Sequence, residues 1–199
     1  MQPPIDPPFI IKVCGITNEE DARVAIKAGA NALGFNFYEK SPRFLSRERA
    51  RAIIQSVPGN YLKVGIFVNP TAGETFDDFL DVVQLYGEWQ PELKQRWMVW
   101  KAIPPNETEQ FCGADAYLMD TPSPAFGGSG KMFNWKLARG RFRVIIAGGL
   151  DSSNVAEAIA TAEPWGVDAC SRLESRPGKK DSAKVQAFVS AAQEAFRVL

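Results

Sequence analysis

Eight short apolar runs recur along the chain, and their alternation with helix signals limits the fold more than any other feature. They are Phe9 to Gly15, Ala32 to Phe37, Leu62 to Val68, Asp81 to Gly87, Met98 to Ile103, Ala114 to Asp120, Val144 to Gly149 and Val167 to Ser171. Continuous runs rich in Val, Ile and Phe suit parallel strands buried on both faces. Between them, Thr17 or Asn18 is placed to cap a helix through Ala28 that Gly29 ends, and Ser46 to cap one through Ser56. Ser152 or Ser153 is placed to cap Asn154 to Ala162, and Val185, Phe188, Val189, Ala192 and Phe196 form one stripe within Ser182 to Arg197. Strand then helix, repeated, predicts an α/β fold with a parallel sheet. Closure into a (β/α)8 TIM barrel removes both sheet edges, and an open doubly wound sheet is the alternative.

Length argues for economy, since such barrels typically take about 250 residues and this chain has 199. The connections Thr71 to Leu80, Gln90 to Trp97 and Pro104 to Gly113 leave room only for shortened helices in the middle of the chain. Residues 1–8, with four prolines, read as an extended tail, and residues 9–199 as the barrel.

Lys plus Arg and Asp plus Glu both number 23, so no net field favours nucleic acid. No run is apolar enough for a membrane span, and the start lacks the pattern of a signal peptide. The three cysteines, Cys14, Cys112 and Cys170, are far apart in sequence, which fits a reducing cytoplasm better than a disulfide framework. The chain has no histidine, so acid–base chemistry here must use a carboxyl, thiol, amine or phenol with a tuned pKa. Serine triads and His-ligated metal sites lose their usual base or ligand for the same reason.

In a parallel barrel, chemistry belongs to the C-terminal ends of the strands. Cys14 ends the first run, and strand alternation puts it on the same face as Lys12, whose ammonium would favour a thiolate base. Asp120 ends the sixth run, where partial loss of water suits a general acid. The Gly-rich stretch after it, with Gly128, reads as a lid over the mouth. Gly148 and Gly149 end the seventh run, and paired glycines let backbone amides approach an anion closely. Ser171 and Arg172 end the eighth and complete a phosphate cradle. Arg43, after the second run, offers a planar fork for a second anionic group. The plain alternatives are a buried Cys14, turn formers at Asp120 and Gly148-Gly149, and a solvated Arg43.

Several of these segments, taken in order, resemble the phosphoribosylanthranilate isomerase family: Lys12-Val13-Cys14-Gly15-Ile16-Thr17, Ala32-Leu33-Gly34-Phe35, Ser41-Pro42-Arg43, Val64-Gly65-Ile66-Phe67-Val68-Asn69, Val83-Gln84-Leu85, Gly127-Gly128-Ser129-Gly130-Lys131 and Ala147-Gly148-Gly149-Leu150. The resemblance runs from Ile10 to Phe188. It implies a cofactor-free Amadori rearrangement in tryptophan biosynthesis, with Asp120 protonating the furanose oxygen and Cys14 taking the proton from the sugar's second carbon. It further implies that Arg43 meets the anthranilate carboxylate and that Gly148-Gly149 and Ser171 hold the phosphate. The partner is then a small phosphorylated molecule, and the chain a monomer or homodimer. Two departures stand out: Tyr86 replaces a usual histidine in Gln84-Leu85-Tyr86-Gly87, and Arg172 replaces a usual glycine in Ser171-Arg172-Leu173-Glu174. A related imidazole-pathway isomerase and a silent phosphate-binding barrel are the competing readings.

Overall fold

The computed structural model describes residues 7–70, 76–106, 113–121 and 132–199. Eight parallel strands close into a barrel in chain order: β1 (Ile10–Val13), β2 (Ala32–Asn36), β3 (Leu62–Val68), β4 (Val82–Tyr86), β5 (Met98–Ile103), β6 (Ala116–Met119), β7 (Val144–Ile146) and β8 (Gly166–Ala169). β8 returns to pair with β1, with Val13 beside Ala169, so no edge is left open. The open sheet is thereby excluded.

Alternation along each strand sorts side chains into an interior and an outer layer. The lower interior is apolar, filled by Ile10, Leu62, Val64, Val82, Trp100, Leu118 and Ile145 among others. Above it sits one ion pair, Lys12 Nζ to Asp168 Oδ1 at 2.9 Å, with the Lys12 side chain fully buried. Outward-facing residues such as Ile11, Val13, Leu33 and Phe35 meet the helices.

Helices α1 (Glu19–Ala28), α2 (Arg47–Ser56), α3 (Val155–Ala162) and α4 (Ser182–Arg197) are the α-helices among the described residues. Asn18 caps α1 by accepting from the Asp21 amide, and Gly29 closes it in the left-handed conformation at φ 104°. Ser46 caps α2 as expected, and Val185, Phe188, Val189 and Ala192 form the buried stripe of α4.

The start of α3 differs from the sequence reading. Neither Ser152 nor Ser153 caps it; the helix begins at Val155, behind an Asp151 turn. Asp151 Oδ1 accepts from Ser153 N, while Asn154 Oδ1 accepts from Asp151 N. Asn154 Nδ2 in turn donates to Gly149 O at 2.8 Å, so the residue read as the first of the helix instead clamps the glycine loop.

The middle of the ring is thin, as the short connections require. Only a 3-10 turn (Pro91–Gln95) follows β4, and another (Trp135–Ala138) precedes β7. Aromatic rings cover the barrel where helices are short: Phe76 stands edge-on to Phe67 at 4.7 Å and meets Trp97 at 5.6 Å. Arg47 lies 5.6 Å from both Phe37 and Phe67, adding a cation over the same cluster.

Candidate active site

A pocket opens at the C-terminal ends of the strands. Cys14, Arg43, Asp120, Gly148, Gly149, Ser171 and Arg172 all line it, together with Gln84, Tyr86, Asp168 and Cys170. Gly128 lies outside the described residues, as do Cys112 and the Gly-rich stretch at 122–131. Among the described residues, no cluster of three or more His, Cys, Asp or Glu is placed to hold a metal ion.

Asp120 follows β6 and is buried, and its amide donates to Ile103 O at 3.1 Å. Burial pushes its carboxyl up, and the negative charge of Asp168 adds to this. Hydrogen bonds from Tyr86 and the Thr121 amide, and the charge of Lys12, oppose the rise, leaving the pKa at about 6. Tyr86 Oη donates to Asp120 Oδ2 at 3.1 Å. Burial, reinforced by the Asp120 charge, holds the Tyr86 phenol well above its ordinary pKa, so it stays a donor. Asp120 Oδ1 and Gln84 Oε1 are buried acceptors without a hydrogen-bond partner among the described residues. Buried acceptors are usually satisfied, so hydroxyl donors from a polyhydroxylated ligand suit this wall.

Cys14 behaves differently from the sequence expectation. Lys12 does draw its pKa down, but the hydrogen-bonding interaction with Cys170 and burial raise it more, with the net well above the ordinary thiol value. Lys12 is itself answered by Asp168, which the sequence reading did not pair with it. Burial alone would lower the Lys12 pKa, yet Asp168 and Cys14 outweigh this and hold the ammonium charged. The expected pull of Lys12 on the Cys14 thiol is therefore present, but in the free protein Cys170 and burial outweigh it. Space around the sulfur is tight: a Cβ built on Gly34 would lie 2.9 Å from Cys14 Sγ.

The phosphate side is built from backbone turns. Gly148 and Gly149 take φ of 84° and 68°, the left-handed region that glycine enters without strain. Ser171 opens a short 3-10 turn (Ser171–Leu173) directly after β8. Arg172 is drawn toward the glycine loop, with Nη1 on Asp151 Oδ2 at 2.7 Å, so the charge that replaces the usual glycine is partly answered within the protein.

Arg43 lines the mouth but is not a solvated arginine. Its Nε and Nη2 grip Glu174 Oε1 and Oε2 at 2.8 and 2.7 Å, and its side chain is 11% exposed. Glu174 begins a hairpin of β9 (Glu174–Arg176) and β10 (Lys179–Lys180), which also brings Lys180 Nζ to Glu174 Oε1 at 3.1 Å. A clamp at Arg43 is thus pre-oriented by a carboxylate, which fixes the plane of the fork. Sequence reasoning missed the partners Asp168, Glu174, Lys180 and Gln84. A buried lysine at the end of a Lys179-Lys180 pair carries no signal that distinguishes it from a solvated one.

An eight-stranded parallel barrel with a carboxyl, a thiol and a glycine turn around one mouth defines an enzyme of the TIM-barrel class. Residues 11–191 match the sequence profile of the family described as N-(5'phosphoribosyl)anthranilate (PRA) isomerase. The chain is 48% identical over 200 residues to the N-(5'-phosphoribosyl)anthranilate isomerase of Solibacter usitatus, covering 94% of this chain and 99% of that one. Among solved structures, the phosphoribosyl anthranilate isomerase of Thermus thermophilus is similar with a TM-score of 0.83 at 32% identity, covering 94% and 99% of the two chains. A phosphoribosyl anthranilate isomerase in complex with reduced 1-(o-carboxyphenylamino)-1-deoxyribulose 5-phosphate is similar with a TM-score of 0.75 at 34% identity, covering 94% and 99%. This chain belongs to the phosphoribosylanthranilate isomerase family.

Proposed function

We propose that this protein catalyses the Amadori rearrangement of N-(5'-phosphoribosyl)anthranilate to 1-(2-carboxyphenylamino)-1-deoxyribulose 5-phosphate, a step of tryptophan biosynthesis. The observation that carries the reading is one mouth lined by both proton-transfer groups and by the glycine turn. With the phosphate at Gly148, Gly149 and Ser171, the sugar extends between Asp120 and Cys14. The carboxylate of the anthranilate ring faces Arg43.

Asp120, with a pKa of about 6, retains a share of protonated carboxyl near neutrality and gives that proton to the furanose ring oxygen. Cleavage of the C1–O bond yields a Schiff-base cation and leaves Asp120 as a carboxylate, supported by the Tyr86 hydroxyl. The new positive charge, above the Lys12 ammonium, favours ionisation of Cys14 at the moment a base is required. Cys14 then removes the C2 proton, and the resulting enolamine relaxes to the ketone. Proton transfers complete the sequence without electron exchange.

The experiment follows the loss of substrate fluorescence. Either Cys14→Ala or Asp120→Asn is expected to lower kcat by about a hundredfold or more. Near-normal rates in both variants overturn the assignment.

A further inference from the structure

The mouth holds a second thiol beside the base. β1 and β8 pair in register with Val13 beside Ala169, so the next position of each strand sets Cys14 beside Cys170. Their adjacency is fixed by backbone, because Cys14 N donates to Ala169 O at 2.9 Å. Both side chains line the same cavity, and both are free thiols with partial exposure. Neighbouring strands run about 4.8 Å apart, within the roughly 4.4–6.8 Å between Cα atoms that a disulfide spans. The two cysteines follow directly on strands held at that spacing.

The two thiols are chemically unequal. Lys180 Nζ, held by Glu174 and by Cys170 O, lies 3.8 Å from Cys170 Sγ. The hydrogen-bonding interaction with Cys14 lowers the Cys170 pKa against the cost of burial, and the charges of Lys180 and Arg43 bring it to about 7. With the Lys180 ammonium beside its sulfur, Cys170 is the thiol of the pair better placed to ionise. That is the division of labour between an attacking and a resolving cysteine.

We propose that Cys14 and Cys170 form a dithiol site for exchange with small-molecule disulfides, closing to an internal disulfide that removes the base of the isomerase. The Cys170 thiolate attacks one sulfur of the small disulfide, forming a mixed disulfide and releasing one small thiolate. That thiolate takes the proton of Cys14. The Cys14 thiolate then attacks Cys170 Sγ, forming the Cys14–Cys170 bond and releasing the second small thiolate. Two protein thiols are oxidised, and one disulfide is reduced to two small thiols. The site does not depend on the isomerase reading, since the bond forms whether or not the sugar is turned over.

The test incubates the whole protein with oxidised glutathione and maps its tryptic peptides without reduction. The expected product links peptide 13–23 to peptide 144–172, each of which contains one cysteine of the pair. Isomerase activity is expected to fall in proportion to the linked fraction and to return with dithiothreitol. Cys170→Ser, treated the same way, is expected to keep the activity of its own untreated sample. Absence of the linked peptide overturns the proposal, as does equal inactivation of Cys170→Ser. A linked peptide in a protein without isomerase activity even when reduced supports the dithiol site and counts against the isomerase reading.

Discussion

Replacing Tyr86 with Phe removes one hydrogen bond from the group proposed to protonate the sugar, and the consequence is a displaced pH profile. Tyr86 Oη reaches Asp120 Oδ2 at 3.1 Å, and its donation favours the carboxylate over the acid. Without it, the pKa of Asp120 must rise above its present value of about 6. A hydrogen bond to a charged group contributes roughly 1.5–3 kcal/mol, and the separation here is long for such a bond, so the lower figure applies. At about 1.4 kcal/mol for each pH unit, the half-ionisation point moves to about 7. The protonated share of Asp120 at pH 7 then rises from about one tenth to about one half. The assay is kcat/KM across pH 5 to 9, followed by substrate fluorescence, with the Asp120 carboxyl also titrated by carbon NMR. An inflection and a carboxyl titration unchanged at about 6 in Tyr86→Phe would refute the reasoning, because the phenol would then have no hold on the acid.

Other consequences follow from the same interior. Asp120 has a folded pKa of about 6 against an ordinary 3.8, so the unfolded state binds fewer protons between these values and stability falls as pH rises through that window. Above it the cost is about 3 kcal/mol, and Asp120→Asn is expected to recover part of this in urea unfolding at pH 7 while showing little gain near pH 4. Lys12→Met leaves Asp168 buried without its partner, and a loss of about 3–5 kcal/mol is expected in the same measurement; a change below about 1 kcal/mol would mean the pair is dispensable. Gly34→Ala places a methyl 2.9 Å from Cys14 Sγ and 3.1 Å from both Cys14 Cα and Ile66 Cδ1. The expected result is a fall in kcat of roughly tenfold or more with a smaller change in KM, since misplacement of about 1 Å can cost about a hundredfold.

The barrel was legible because its period is strong. β3 and β5 have the bounds their apolar runs predict, and Asn18, Gly29 and Ser46 mark helix ends by chemistry that acts within one turn. Strand alternation was enough to bring Cys14, Asp120 and Gly148-Gly149 to one rim. The failures share a different cause. Whether Lys12 would activate Cys14 depended on Asp168 and Cys170, more than 150 residues away in sequence and adjacent only once the ring closes. Glu174 and Lys180 reach the site through a hairpin whose strands are too short to carry any period. At α3 the competing side-chain acceptors of Asp151 and Asn154 displaced the serines, a contest between side-chain turns that local pattern cannot settle.

The Lys12–Asp168 pair also decides how traffic moves. It joins the neighbouring strands β1 and β8 on the inside of the barrel, with Trp100 and its apolar neighbours packed in the layers below, so the chamber is a cup and not a tunnel. Reactant and product must use one doorway, and an arriving molecule waits until the last has left. A finished sugar phosphate lingering on its glycine perch is thus a competitor for the next, which makes release as open to selection as the chemistry itself.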